Sequence, residues 1–315
     1  MKVNRVAIIG ECMVELQKTD EQLTQNFGGD TLNTALYLSR LTQQHGITTS
    51  YLTGLGRDPF SRKMLENWQK EGLNTDFVHI SDHKLPGMYA IETASDGERS
   101  FYYWRNDSAA KYWLREYSLS ELTHTFCKHQ VIYISGISLA ILPLDCREKL
   151  LELLTICRQH GVNIAFDNNY RPALWESAAV AREAYAQFLR LTDMAFLTFD
   201  DEVMLYGDDN EQQAIERTQD FGVQEIVIKR GADACYVVTA TERVEVPALK
   251  VSNVVDTTAA GDSFSAGYLA KRLTGGSTTD SAHAGHTLAS TVIQYRGAII
   301  PRETMPHDLM SPSSI

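Results

Sequence analysis

At 315 residues, with 43% hydrophobic and 22% charged residues, the chain has an ordinary globular composition and can bury one large core or two smaller ones. Its formal net charge of −11 argues against general binding to nucleic acid or an anionic membrane surface, so a pocket for an anion must be locally basic. Five cysteines, an odd number with no CxxC pair, and an apolar run before Gly10 too short for a signal-peptide core predict a reducing, cytoplasmic setting.

Arg5–Ile9 reads as a buried first strand, and the loosely alternating polar stretch 11–26 suits a segment outside the main core. Gly28-Gly29-Asp30 opens a helix running to 41, with Leu32, Ala35 and Leu36 at helical spacing; taken alone, the two glycines are a turn. A strand over 51–55 and a helix over 59–71 closed by Gly72 follow. Residues 88–93 and 99–105 then flank Ser95-Asp96-Gly97, a β-hairpin signal. Four consecutive aromatics, Phe101 to Trp104, cannot all face one core, because neighbours on a strand point to opposite sides. Both faces of the hairpin must therefore be covered, by a second layer of the fold, a ligand or another subunit. With a three-residue loop and Gly97 left-handed, Tyr89 stands opposite Tyr103, on one face with Arg105; a two-residue Asp-Gly turn would set Tyr89 opposite Trp104 instead.

Beyond the hairpin, strands and helices alternate. Strands are expected over 131–135, 162–167, 194–197 and 225–229, and helices over 143–160, 177–191, 211–221 and 280–295. The tail 301–315, with Pro and Ser, reads as poorly ordered. Such alternation predicts an α/β fold with a mostly parallel sheet and helices on both faces. Ligands in these folds bind beyond the carboxyl ends of strands, where Arg171, Lys229-Arg230-Gly231 and the loop 256–262 fall.

That loop carries the strongest chemical signal. Asp256-Thr257-Thr258-Ala259-Ala260-Gly261-Asp262 follows the apolar run 251–255 and leads into a helix. Small residues let the backbone turn tightly, and the first helical turn presents unpaired N–H groups to a phosphate or a developing negative charge. Asp262 sits in that turn as a candidate general base, although an acidic residue there is more often a cap or a dipole partner. Other motifs are false leads. Asp220-Phe221-Gly222 has no HRD partner, no GxxxxGK[ST] occurs, and no His/Cys cluster has zinc spacing.

The run 256–267 resembles the C-terminal signature of the ribokinase-like (PfkB) sugar kinases, which usually have Gly where Ala259 stands. The resemblance extends over essentially the whole chain and implies one α/β kinase domain over 1–315. It also implies a β lid from about 11–27 and 86–105 that covers the sugar and often pairs with its twin, so a homo-oligomer is expected. In that family the Asp corresponding to Asp262 is the catalytic base; the amides of Ala259, Ala260, Gly261 and Asp262 would stabilise the transferring group, and Arg171 would position it. Gly29, Asp30, Thr31, Leu32 and Asn33 match the family's sugar-binding segment. Lys229, Arg230, Gly231, Ala232, Asp233 and Ala234 resemble its nucleotide segment, with Asn169, Tyr170, Arg171 and the 259–262 turn completing the ATP site. Tyr89, Tyr103, Trp104, Arg105 and the Asn168-Asn169-Tyr170-Arg171-Pro172 run resemble the branch acting on 2-keto-3-deoxygluconate, where the tyrosines and arginines hold the sugar acid. Two arginines in one pocket suit a carboxylate and a phosphate. ATP and Mg²⁺ are the implied cofactors. No residue is assigned as a metal ligand, since Thr198-x-x-Asp201 replaces the family's Asn-x-x-Glu. The competing readings are a kinase of another sugar, of fructokinase or ribokinase type, and a non-catalytic sugar sensor on the same fold.

Overall fold

A computed structural model describes residues 3–19, 22–93 and 99–310. Its strands in chain order are β1 (Arg5–Ile9), β2 (Met13–Thr19), β3 (Gln22–Gly28), β4 (Thr48–Leu52), β5 (Gly54–Leu55), β6 (His79–Ile80) and β7 (Met88–Thr93). There follow β8 (Arg99–Trp104), β9 (Val131–Ser135), β10 (Asn163–Asp167), β11 (Met194–Thr198), β12 (Glu225–Lys229), β13 (Cys235–Thr239) and β14 (Arg243–Val246). Eight of them form the main sheet in the order β14-β13-β12-β11-β10-β9-β1-β4, parallel from β12 to β4. β13 and β14 extend it antiparallel, an edge the βα alternation does not announce because no helix separates these strands.

Every residue of β9 and β12 is buried, as expected for parallel strands covered on both faces. Alternate side chains divide between two cores. Val6, Ile8, Tyr133, Phe196 and Val227 pack beneath helices Asp30–Thr42, Ala260–Leu273 and Thr278–Val292. Ala7, Ile9, Ile132, Ile134 and Ile226 pack beneath helices Leu144–Gln159 and Ala178–Leu189.

A second sheet, ordered β3-β2-β7-β8, stands on the segments 11–28 and 87–104. Its register places Tyr89 opposite Tyr103, as the three-residue loop requires, while the predicted turn, residues 94–98, lies outside the described residues. Glu15 lies opposite Tyr89 on β2, so Glu15, Tyr89 and Tyr103 share one face, and Leu16, Tyr102 and Trp104 belong to the other.

The run 251–255 is an irregular loop with Val254 and Val255 exposed. Two expectations change. The strand over 51–55 is two strands, because β4 leaves the main sheet at Leu52 and β5 pairs with β6. The tail is not loose as far as it is described: it forms a turn at Arg302–Thr304 and buries Leu309 in the first core. Helix Leu119–Phe126 was not among the expected elements, although its Ser118/Glu121 capping box is a local signal for it.

β3 meets helix Asp30–Thr42 at Gly29, and a β-carbon there would stand 2.2 Å from the Glu11 carbonyl oxygen. That contact is with backbone and cannot be relieved by a rotamer change. Gly29→Ala is therefore expected to destabilise the fold by about 1–3 kcal/mol, the range for overpacking. Urea unfolding of the variant measures this, and an unchanged midpoint would refute the close approach.

Candidate active site

The carboxyl ends of β9, β10 and β12 deliver Ser135, Asp167 and Lys229 to one end of the sheet. Helices Asp30–Thr42 and Ala260–Leu273 pack together and begin at that same end. Asn33 Nδ2 donates to Asp262 Oδ2 at 2.8 Å, joining residues 229 positions apart. Asp30 Oδ2 accepts from Ser135 Oγ at 2.5 Å and from Asn169 Nδ2 at 2.8 Å. Asn169 adopts a positive φ of 31°, which turns its amide toward Asp30. Two carboxylates thus share a half-enclosed space, held by amide and hydroxyl donors rather than by arginine.

Burial and the negative charge of Asp30 push the Asp262 carboxyl up from its ordinary value to about 7, against the Asn33 hydrogen bond and the Lys229 charge, which pull it down. A carboxylate poised near neutrality is well matched to proton abstraction at physiological pH. The turn before it is strained. Ala259 sits at φ 61°, ψ 16°, the left-handed region where most side chains are disfavoured. The Ala260 N–H donates to the Thr257 carbonyl at 3.1 Å, so it is already engaged. Helix geometry leaves Gly261 and Asp262 as the first-turn amides for an anion, narrowing the expected set of Ala259, Ala260, Gly261 and Asp262. Asp256 braces the loop from below, accepting from Thr258 N at 3.0 Å and Gly297 N at 2.9 Å.

The other expected residues divide. Within 29–33, Asp30 and Asn33 face the shared space, whereas Leu32 belongs to the core and Thr31 is fully buried against the Tyr51 hydroxyl at 3.0 Å. Their place in the sugar-binding segment is helical phase, not contact. Tyr170 is likewise a core residue, edge-on to Tyr185, and offers the site only its amide, which donates to Asp201 Oδ2 at 3.1 Å. Arg171 is half exposed, with Nη1 on the Tyr170 carbonyl at 2.7 Å and 3.4 Å from Asp201 Oδ1. Burial raises the Asp201 carboxyl's pKa against the pull of Arg171.

Lys229 is buried and paired with Asp167 at 2.8 Å. Arg230 points elsewhere: its guanidinium lies over the Tyr236 ring and bonds Ala234 O at 2.6 Å, Glu245 at 2.7 Å and Glu211 at 3.3 Å. It braces the turn rather than offering a charge to phosphate. Gly231, Ala232 and Asp233 are exposed on that turn, and Ala234 is half-buried.

On the small sheet, Tyr89 and Tyr103 stack with ring centroids 5.8 Å apart, and the Arg105 guanidinium lies 5.9 Å from the Tyr103 ring centre. Trp104 projects from the opposite face and is 61% exposed, so it does not join Tyr103 and Arg105 as expected. Two acidic partners escaped the sequence reading. Glu15 accepts from the Tyr89 hydroxyl, and Glu11 forms an ion pair with Arg105, both residues buried. Their only sequence signal was acidic residues in an otherwise half-apolar strand. Arg105 therefore brings no uncompensated charge, because Glu11 offsets it.

Comparison with known proteins settles the lineage. The family model described as pfkB family carbohydrate kinase matches residues 3–305. The chain belongs to this family. It is 54% identical to the 2-dehydro-3-deoxygluconokinase of Dickeya dadantii, over 97% of this chain and 100% of the relative. Identity to the 2-dehydro-3-deoxygluconokinase of Escherichia coli K12 is 52%, over 96% and 99%. The crystal structure of aminoimidazole riboside kinase from Salmonella enterica, complexed with aminoimidazole riboside and an ATP analog, shares the fold with a TM-score of 0.80 at 24% identity. That match covers 98% of this chain and 100% of the other.

Two outcomes are expected from this geometry. With Asp262 as the base, kcat/KM should fall as pH drops through about 7, where the shift places the group. Replacing Asn33 with Ala removes the donor that favours the charged form and should move that limb upward. Ala259→Gly removes left-handed strain and should stabilise the fold by about 0.5–1 kcal/mol after the added chain entropy of glycine is subtracted. Denaturant midpoints check the second outcome; a loss of stability would mean that the alanine methyl packs usefully.

Proposed function

We propose that this chain transfers the γ-phosphoryl group of ATP to the 6-hydroxyl of 2-keto-3-deoxy-D-gluconate (2-dehydro-3-deoxygluconate). The observation that carries this reading is Asp262, held by Asn33 at the head of an anion-accepting helix, in a family member more than half identical to kinases named for this substrate. In the proposed reaction Asp262 takes the hydroxyl proton as the sugar oxygen bonds to the γ-phosphorus. The bond to the β,γ-bridging oxygen breaks, and ADP leaves. The Gly261 and Asp262 amides meet the charge on the transferring group, aided by the positive end of the helix dipole.

Asp30, fixed by Ser135 and Asn169, accepts from substrate hydroxyls, and Asn33 orients the base. The small sheet serves as a lid, with Tyr89 and Tyr103 stacked on its inner face and Arg105 held in place by Glu11. Its outer face exposes Leu23, Tyr102 and Trp104, which suits burial against the same sheet of a second copy. The exposed turn Gly231–Asp233 lies at the nucleotide end, and Arg171 reaches the carboxylate or phosphate from a strand end. Mg²⁺ bound with the nucleotide would supply neutralisation of the phosphate charge. Asp201, a buried carboxylate with an arginine already at 3.4 Å, fits a water-mediated hold on that ion.

Asp262→Asn should retain ATP binding while kcat falls by roughly 10²–10⁴; near-normal turnover would sink the assignment of the base. Arg171→Lys loses directed hydrogen bonds to an anion and should lower kcat/KM for the sugar acid by about 1.5–3 kcal/mol. Assays with 2-keto-3-deoxygluconate, fructose and ribose under ATP decide the substrate. Equal kcat/KM for acid and neutral ketose would leave the kinase standing and remove the sugar acid.

A further inference from the structure

Beneath the turn that carries Asp262 lies a buried ion pair with no part in the reaction as described above. β12 ends in Lys229 and β10 in Asp167, with β11 between them. Lys229 Nζ donates to Asp167 Oδ2 at 2.8 Å and to Ser265 Oγ at 3.4 Å. The same Oδ2 accepts from Ser265 Oγ at 2.9 Å and from the Tyr133 hydroxyl at 3.0 Å. The pair is 8% and 3% exposed, and Lys229 Nζ lies 3.5 Å from where a β-carbon on Gly261 would stand. A buried ion pair is a poor device for stability, since desolvation offsets its attraction and apolar residues usually serve as well. Here it ends two strands and lies against the residue preceding the base.

We propose that Lys229 and Asp167 are opposed positioning residues that set the charge state of Asp262 and, through it, the pH range over which the kinase works. The inference rests on Asp262 being the base. The charged and titratable groups that act on Asp262 are Asp30 and Tyr37 from helix Asp30–Thr42, Tyr133 from β9, Asp167 from β10 and Lys229 from β12, with Asn33 as a neutral donor. Of these, Lys229 is the single cation. Its charge favours the carboxylate, whereas Asp167 disfavours it, and the hydrogen bond between them fixes the distance at which each acts.

The signs separate this role from a structural one. Only the Asp262 carboxylate is active, so the acidic limb of kcat/KM follows its pKa in the free enzyme. Lys229→Met should move that limb up by about one pH unit, and Asp167→Asn should move it down by a similar amount. Each single variant buries an unpaired charge, so thermal unfolding must first show which of them is folded under assay. The double variant Lys229→Met/Asp167→Asn buries neither charge and should keep a limb near the wild-type position. Where one single variant does not fold, the other and the double still give the sign: losing Lys229 from Asp167→Asn should raise the limb, and losing Asp167 from Lys229→Met should lower it. Shifts in the same direction, or lower turnover with a stationary limb, would overturn the proposal. Asp262→Asn separates the two readings. If its residual activity keeps the wild-type limb, the assignment of the base fails. If it loses the limb while the Lys229 and Asp167 variants leave theirs unmoved, this proposal alone fails.

Discussion

The hydrogen bond from Asn33 to Asp262 ties together the two helices on which the site depends. Each helix begins at the carboxyl end of the sheet, and each brings an acidic residue in its first turn, Asp30 and Asp262. Two like charges so placed cannot both be fully ionised at low cost, and burial adds to the penalty. The arrangement persists because its donors are fixed by different layers of the fold: Ser135 from β9, Asn169 from the loop after β10, and Asn33 from the helix itself. Proton affinity at Asp262 is thus a consequence of tertiary packing, since an exposed aspartate at a helix start would be an ordinary dipole partner.

The small sheet is joined to this centre through glycines. Gly28 closes β3 beside the Tyr89 hydroxyl and Glu15, and Gly29 lets the chain pass against the Glu11 carbonyl before the helix begins. Tyr89 and Glu15 on the sheet are therefore coupled to the first turn that carries Asp30. The Glu11–Arg105 pair shows how an acidic protein presents cations without holding them bare: the charge is balanced internally, and what remains for a ligand is the direction of its donors. Arg171 differs from Arg105, since its side chain is half exposed and only loosely held by Asp201.

Much of this was legible in the sequence wherever one local rule decided the outcome. β9 and β12 agree with the structure to the residue, because short apolar runs bounded by turn signals have few alternatives. The Tyr89–Tyr103 register followed from loop length and the period of two. Asp262, Asp30, Asn33 and Lys229 were located by motif. The failures share a cause: a motif gives chain position and not side-chain direction. Leu32, Thr31 and Tyr170 lie inside matching segments but face the core, and Trp104 lies one residue from Tyr103 but on the other face. Glu11, Glu15 and Asp167 were missed because each acts through a partner remote in the chain, Arg105, Tyr89 and Lys229 respectively.

Ala259 shows how sequence and site remain linked where the two disagree. A family that favours glycine at this point is using the left-handed backbone to aim the following amides, and the chain here keeps that geometry with alanine, at φ 61°. The strain is tolerated because the turn is over-determined: Ser263 N and Oγ both bond the Ala259 carbonyl, Ala260 N bonds Thr257, and Asp256 binds Thr258 and Gly297. Rigidity is thereby supplied by contacts other than the first-turn amides of Gly261 and Asp262. The amides that would meet a phosphoryl group are left oriented in advance, which is the form of electrostatic stabilisation that requires no reorganisation during reaction.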